Sequence, residues 1–206
     1  MDAVALIVDI VRSRELNDRA AAQSAVVEAF RVSDEIVPFR QSLWPTVGDE
    51  FQAVFSGVEQ ALRATTVARL LLPPEVDCRF GLGLGDLRDI ASEPGGPIQD
   101  GSAWWRAREA IDEAHRREDR SNPYLRSWFI SHRPEPVVNS YLLLRDHTIT
   151  GMGVRQRRVT AGMLLGRSQS DIAVREGISQ SAVSQSLRRS GGAAILAADR
   201  LLEEVP

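Results

Sequence analysis

Two short stretches set carboxylates beside residues that handle phosphate: Asp9-Ile-Val-Arg-Ser-Arg14 and Thr46-Val-Gly-Asp-Glu-Phe51. Carboxylates at Asp9 and Asp49, brought to one edge of a sheet, are donors able to hold divalent cations ~3.5–4 Å apart, which bind phosphates and lower the pKa of an attacking hydroxyl. Glu50 stands beside them or behind them. Ser13, with Arg12 and Arg14, follows Asp9 where a loop entering a helix receives phosphate through backbone amides and guanidinium groups. Taken singly, each residue has a plain structural role: Asp9 caps a turn, Asp49 supplies an Asx turn, Glu50 is solvated. Their joint occurrence raises the expectation of an anionic site that takes Mg2+ or Mn2+ and a nucleotide.

A second chemistry lies near the C-terminus, in the run from Ser168 to Arg189. Ile172, Ala173, Ile178, Val183 and Leu187 are spaced to close two short helices on each other, Gly177 permits the sharp turn between them, and Ser179 is suited to cap the second helix. The exposed face then offers Gln180, Ser181, Ser184, Gln185 and Arg188, with Arg189 at the end. A glutamine amide both donates and accepts toward an adenine edge, while serine hydroxyls and arginine meet bases or phosphates. The other reading is a helical hairpin that is structural or binds protein. The run resembles the helix-turn-helix of bacterial sigma-factor-like and MarR-like regulators, which implies a recognition helix from Ser179 to Arg189, Arg189 nearer the DNA backbone. One short recognition helix supplies few contacts, so the partners expected are double-stranded DNA and a second copy of the chain, two half-sites lying one turn, ~34 Å, apart.

The elements that must position these residues follow from apolar periodicity. Ala3 to Val8 reads as a buried strand delivering Asp9 at its end. A helix starts at Asp18 and shows one face through Ala22, Val26, Ala29, Phe30, Ser33 and Val37, with Pro38 at its end. Leu43–Val47 and Phe51–Phe55 form a hairpin with Gly48, Asp49 and Glu50 at its tip, Pro45 marking an edge position or a bulge. A second helix through Val58, Ala61, Leu62, Thr65 and Leu70 stops at Pro73, and Val76 to Leu84 returns to strand alternation. Gly81, Gly83 and Gly85 fall inside that strand, where they permit close backbone packing; they do not introduce a dinucleotide-binding helix. Residues 92–101, with Gly95, Gly96, Pro97 and Gly101, read as a loop before a helix from Ser102 to Arg117 carrying a stripe of Ala103, Ala107, Ala110, Ile111 and Ala114. The first domain is therefore α/β. A boundary near Pro134 divides the chain into residues 1–133 and an all-α domain, 134–206.

Composition narrows the function classes. The chain of 206 residues carries a net charge of −3, and all of its basic residues are arginine. The excess is uneven: from residue 150 onward there are 8 Arg against 5 acids, so only that part suits a phosphate backbone. One cysteine, Cys78, fits a buried strand and offers no intramolecular disulfide. No apolar run reaches the ~20 residues of a membrane span and Asp2 stands where a basic leader would begin, so the expected location is cytoplasmic, with no membrane partner. His115, His132 and His147 have no metal-ligand spacing.

Asp9-Ile-Val-Arg-Ser-Arg14, Gly48-Asp-Glu-Phe-Gln52, Arg79-Phe-Gly-Leu-Gly-Leu-Gly85 and Gly101-Ser-Ala-Trp-Trp-Arg-Ala-Arg-Glu-Ala110 occur in order over most of residues 1–117, and on them the chain resembles the SatD family. That resemblance implies a ferredoxin-like, class III nucleotidyl-cyclase and GGDEF-type palm domain followed by a C-terminal helix-turn-helix. It implies metal-binding aspartates at Asp9 and Asp49 and a phosphate-contacting arginine at Arg108; Ser13 and Arg14, read above from the loop after Asp9, complete the expected ligand contacts. The cyclase pattern then fails: the asparagine expected four residues before Arg108 is Trp104, and no lysine exists to select a purine. Losing one oriented transition-state donor costs roughly 3 kcal/mol, about a hundredfold in rate. Trp104 or Trp105 either stacks on a base or is core. The expectation is a bacterial transcriptional regulator whose degenerate cyclase-like domain senses a nucleotide or phosphorylated ligand. The alternatives are a metal-dependent nucleotidyl cyclase or related phosphodiester enzyme, and a scaffold gripping a protein partner.

Overall fold

The computed structural model describes residues 2–46, 48–93 and 96–205; Val47, expected in the first hairpin strand, and Gly95, expected in a loop, lie outside them. In chain order the elements are β1 (Asp2–Ile10), α1 (Arg19–Asp34), β2 (Gln41–Pro45), β3 (Glu50–Phe55), α2 (Val58–Leu71), β4 (Cys78–Asp86), β5 (Arg88–Glu93), β6 (Gly96–Asp100), α3 (Ser102–Arg117), β7 (Ser127–Ile130) and five helices, α4 (Pro136–Thr150), α5 (Val154–Leu164), α6 (Gln169–Glu176), α7 (Gln180–Ser190) and α8 (Gly192–Glu203). Among the described residues no helix is long and apolar enough to cross a membrane.

The central sheet runs β2-β3-β1-β4-β7, antiparallel except for the parallel β4–β7 pair. β1 is buried on both faces, which is why its sequence is a continuous apolar run. Val4, Leu6 and Val8 join the larger core with residues of α1 and α2, such as Phe30, Ala61 and Leu62. Ala3, Ala5 and Ile7 meet α3 through Ala103, Ala107 and Ile111 on the other face. Here the glycine alternation of β4 finds its use: Ala5 pairs with Gly83 and Ile7 with Gly81. An added Cβ would sit 2.4 Å from the Ala107 carbonyl oxygen at Gly81 and 2.2 Å from the Ala107 nitrogen at Gly83. Cys78 is fully buried, and burial pushes its thiol well up from the ordinary value.

Four local expectations change. α1 ends at Asp34, not near Val37, because the Asp34 carboxylate turns back to accept from the Phe39 amide at 2.8 Å and the Ser42 hydroxyl at 2.6 Å. Residues 92–100, expected as loop, belong largely to a β5–β6 hairpin, in which Arg88 pairs with Asp100. Glu50 lies in β3 and not at the turn. Tyr124 to Ile130 needed burial, and Ser127–Ile130 obtains it as an edge strand. Pro45 does lie in the opposite edge strand, where its missing N–H costs no ladder bond.

α4 fastens the C-terminal helices to the sheet. Asn139 brackets Phe129, donating to its carbonyl and accepting from its amide, both at 2.9 Å. Leu142 enters the larger core. α2 also packs on α5 and α8, and Arg63 bridges to Asp199 of α8. Further along the chain, Val159, Ile172, Ala173, Val183 and Leu187 form a separate small core within the helical region.

Candidate functional site

At one end of the sheet, strand register lines up Glu50, Asp9 and Arg79 on three neighbouring strands. Cross-strand partners share a face, here the face that α3 covers. Arg108 of α3 reaches Glu50 with both guanidinium nitrogens, at 2.6 and 2.8 Å. Arg79 lies 3.5 Å from Asp9 and is itself held by Glu118 at 2.6 Å. Partial burial raises the Asp9 carboxyl above its ordinary value; Arg79 opposes that, and Asp49 and Glu50 add to it.

Asp49 has a different set of neighbours. It follows Gly48, whose φ of 78° makes the turn, and accepts from the Ser13 hydroxyl and the Arg19 guanidinium. Those two bonds, the Ser13 hydroxyl foremost, hold its carboxyl below the usual range, with Arg14 adding positive potential. Ser13 is buried at the start of a short 3-10 turn, and Arg12 before it has φ 52°. The turn after β1 is thus tied to the β2–β3 tip, with exposed Arg14 and Arg19 around it.

The structure therefore brings Asp9, Asp49, Ser13, Arg14 and Arg108 to the same end of the sheet, but gives each acid its own arginine. Asp49 uses both oxygens on Ser13 and Arg19, and Glu50 both on Arg108. A resident divalent cation does not fit that donor set without displacing Arg19 and Arg108. Among the described residues no group of three or more His, Cys, Asp or Glu is placed to hold a metal. Arg19 and Glu118 are the members the sequence did not single out for this cluster; only their positions at the start of α1 and just past the end of α3 could have pointed to them.

Beside this cluster, Ile7, Trp44, Gln52, Gln99, Trp104 and Arg108 line a cavity of about 600 Å3. Trp104 stands edge-on to Trp44, ring centroids 5.9 Å apart. Its indole Nε1 and the Gln99 Oε1 are buried without hydrogen-bond partners. Trp105 also borders this cavity and is 67% exposed.

In the helical region Ser168 caps α6, accepting from the Asp171 amide at 3.1 Å. Gly177 takes the left-handed conformation, φ 64°, and lets the Ile178 amide return to the Ala173 carbonyl at 3.0 Å. Ser179 caps α7 by accepting from the Ala182 amide at 3.1 Å. Val183 and Leu187 face inward. Ser179, Gln180, Ser181, Gln185, Arg188 and Arg189 are exposed, while Ser184 is half-buried and accepts from Arg188 at 3.3 Å. Arg155 and Arg158 both turn to Glu176.

The family model of the SatD family matches residues 3–200. The chain belongs to the SatD family. No curated protein matches it by sequence. Solved structures that resemble it include a bacterial light-regulated adenylyl cyclase, 15% identical with a TM-score of 0.41 over 60% of this chain and 73% of that one. Another is the adenylyl cyclase CyaB from P. aeruginosa, 11% identical with a TM-score of 0.37 over 52% of this chain and 70% of that one. The likeness to adenylyl cyclase folds is distant and says nothing about activity. This SatD-family chain combines a mixed α/β portion with a C-terminal helical region.

Proposed function

We propose that this SatD-family chain is a DNA-binding transcriptional regulator in which residues 134–206 form a helix-turn-helix domain and residues 1–133 sense a nucleotide or another phosphorylated ligand. The observation that carries the reading is α7: a helix capped by Ser179, entered through a left-handed Gly177, whose outer face presents Gln180, Ser181, Gln185, Arg188 and Arg189 to solvent. Those residues suit a major groove, with glutamines for base edges and arginines for phosphates. Arg188 and Arg189 have no carboxylate within 4 Å among the described residues, so their charge is available to an anion. The chain acts as a homodimer, since two such helices are needed to read two half-sites.

The ligand end is the Asp9 and Asp49 cluster. Arg14, Arg19 and Arg108 are the phosphate contacts, and Ser13 holds the loop that presents them. A Mg2+ or Mn2+ enters only with a ligand whose phosphates take over Arg19 and Arg108, freeing Asp49 and Glu50 to join Asp9 as oxygen donors. The second reading, metal-dependent phosphodiester chemistry, is favoured by one feature: Asp9 is partly buried, which disfavours its charge, Arg79 opposes that, and neighbouring Asp49 and Glu50 add to it, so a bound cation would favour the charged carboxylate. Trp104 in place of a polar donor counts against it.

Selection of genomic fragments by the purified full chain tests the first reading. Enrichment of a discrete sequence is expected; no enrichment at either low or physiological salt removes it. Calorimetry with nucleoside triphosphates, cyclic nucleotides and dinucleotides in Mg2+ tests the second domain, with Asp9→Asn and Asp49→Asn expected to weaken binding. Metal-dependent product formation that disappears in both variants would make the enzyme reading primary.

A further inference from the structure

We propose that the cleft between the C-terminal end of α2 and helices α5 and α6 binds a small carboxylate with an apolar body, of the medium-chain fatty acid type. The cleft has a volume of about 600 Å3, within the roughly 300–1,000 Å3 usual for small-molecule sites. It is remote in sequence from the Asp9 cluster and shares no lining residue with the cavity beside it. It stands independently of the DNA-binding reading.

Its floor is apolar: Leu71 and Pro73, at and just past the end of α2, and Val154 and Leu165, at the two ends of α5, keep part of their surface open, over buried Leu70, Ala161 and Ile172. Gly162 lets Ile172 of α6 pack closely on α5 beneath the cleft, since a Cβ there would meet the Ile172 side chain at 3.0 Å. Its rim is cationic. Arg157, Arg158, Arg167 and Arg175 line the cleft against a single acid, Glu176. Glu176 is already taken by Arg158, at 2.8 and 2.9 Å. Arg157, Arg167 and Arg175 have no carboxylate within 4 Å among the described residues, and the Arg157 Nε is buried with no hydrogen-bond partner at all.

An arginine with no carboxylate partner inside the fold gains from a bound anion. Uncompensated arginines over low-dielectric walls also concentrate anions. The floor decides the rest of the ligand. A nucleotide or sugar phosphate would lay its hydroxyls on Leu71, Pro73 and Leu165, which return no side-chain hydrogen bond. An alkyl chain removes that surface from water while its carboxylate reaches the arginine fork. One acid headgroup on one apolar body fits both halves of the lining.

Calorimetric titration of the full chain with sodium octanoate, in buffer without DNA or nucleotide, tests this directly. One saturable octanoate per chain is expected, with 1-octanol and octyltrimethylammonium binding far more weakly. Arg157→Gln should weaken octanoate by about tenfold, the worth of one charge-assisted hydrogen bond. Val154→Trp, made at a 44% exposed position lining the cleft, should block the cleft while leaving the helical circular dichroism unchanged. Absence of saturable heat overturns the proposal. So does octanol binding as tightly as octanoate, or octanoate binding that survives both substitutions.

Discussion

Asp146 of α4 is fully buried against the guanidinium of Arg69 on α2, so the helix that leads into the C-terminal region is joined to the sheet's covering helix by an ion pair out of reach of water. Arg145 adds a second guanidinium to the same Asp146 carboxylate and donates to Thr65 at 2.9 Å, and the Arg126 amide donates to Asp146 at 2.8 Å. Burial alone would raise the Asp146 carboxyl; Arg69 and Arg145 outweigh it and hold it below its ordinary value.

The cluster is expected to be costly to break because the remaining charges stay buried. Asp146→Ala leaves Arg69 and Arg145 without their anion, and the loss should be about 3–5 kcal/mol by urea denaturation. For wild type the depressed carboxyl contributes stability that is fully present above its unfolded value and is lost as pH falls through its lower folded value. Acid titration of the melting temperature should show that loss below about pH 4, and the Asp146→Ala difference should shrink in the same range. A variant as stable as wild type at pH 7 would refute the role of the pair.

Gly83 and Ala107 set the spacing of β4 and α3. The atoms an added Cβ meets are backbone: Ala107 N at 2.2 Å and Ala103 O at 2.3 Å. Backbone cannot swing aside as a flexible side chain does, so Gly83→Ala must push the helix off the sheet, at about 1–3 kcal/mol or more. Gly153→Ala is the control, since its nearest neighbour is Gln156 Oε1 at an ordinary 3.7 Å. Equal urea midpoints for the two variants would show that the close approach is not limiting.

These cases mark what the sequence could and could not disclose. The β2–β3 turn was legible because Gly48 separates two apolar runs, and the α3 stripe because five small or apolar residues recur at helical spacing. The two capped helices α6 and α7 were legible for the same local reasons, serine caps and a glycine stop. β7 was not: four residues between Pro123 and Pro134 give too short a pattern. β5–β6 was hidden because Gly96 and Pro97 carry turn signals even where the backbone pairs. The Arg69–Asp146 pair was illegible in principle, since polar residues on helices read as solvated until a partner 77 positions away is brought to them. Asp9, Asp49 and Arg108 were picked out by type and spacing, but the pairing of Asp49 with Arg19 of α1 and of Asp9 with Arg79 of β4 depends on the packed fold, and nothing local announces it.

Asp9 and Asp49 should respond oppositely to pH. The Asp9 carboxyl is raised, chiefly by burial, so the folded state holds its proton more tightly than the unfolded chain, and stability falls as pH rises from the ordinary value near 3.8 through the raised one. Asp9→Asn is therefore expected to melt slightly higher than wild type at pH 7, less whatever is given up at Arg79. Asp49 is lowered by Ser13 and Arg19; its contribution is present above the unfolded value and is lost as pH falls through the folded one. Asp49→Asn should melt lower than wild type at pH 7, with Ser13→Ala in the same direction. Melting curves of the variants from pH 3 to 8 check both, and an Asp49→Asn that melts no lower at pH 7 would separate the hairpin tip from the turn after β1.

Reading and holding are separable on α7. Gln180 and Gln185 lie on its outer face and have no side-chain hydrogen-bond partner among the described residues, so Gln180→Ala with Gln185→Ala should leave melting unchanged and relax sequence discrimination by about 1–3 kcal/mol at each base read. Arg188→Ala and Arg189→Ala should weaken all sequences alike and lower the dependence of log K on log salt by about one for each phosphate no longer neutralised. Ser179→Ala acts through the fold, since it removes the cap on the Ala182 amide; about 1 kcal/mol of stability should go with it, and DNA affinity should fall only as far as α7 frays. Fluorescence anisotropy on a selected fragment at several salt concentrations, beside urea curves for each variant, separates the three outcomes. If the glutamine pair changes neither discrimination nor affinity while Ser179→Ala changes both, α7 supports DNA binding through another surface. If none of the substitutions alters binding to a fragment the full chain selects, the recognition helix is not α7.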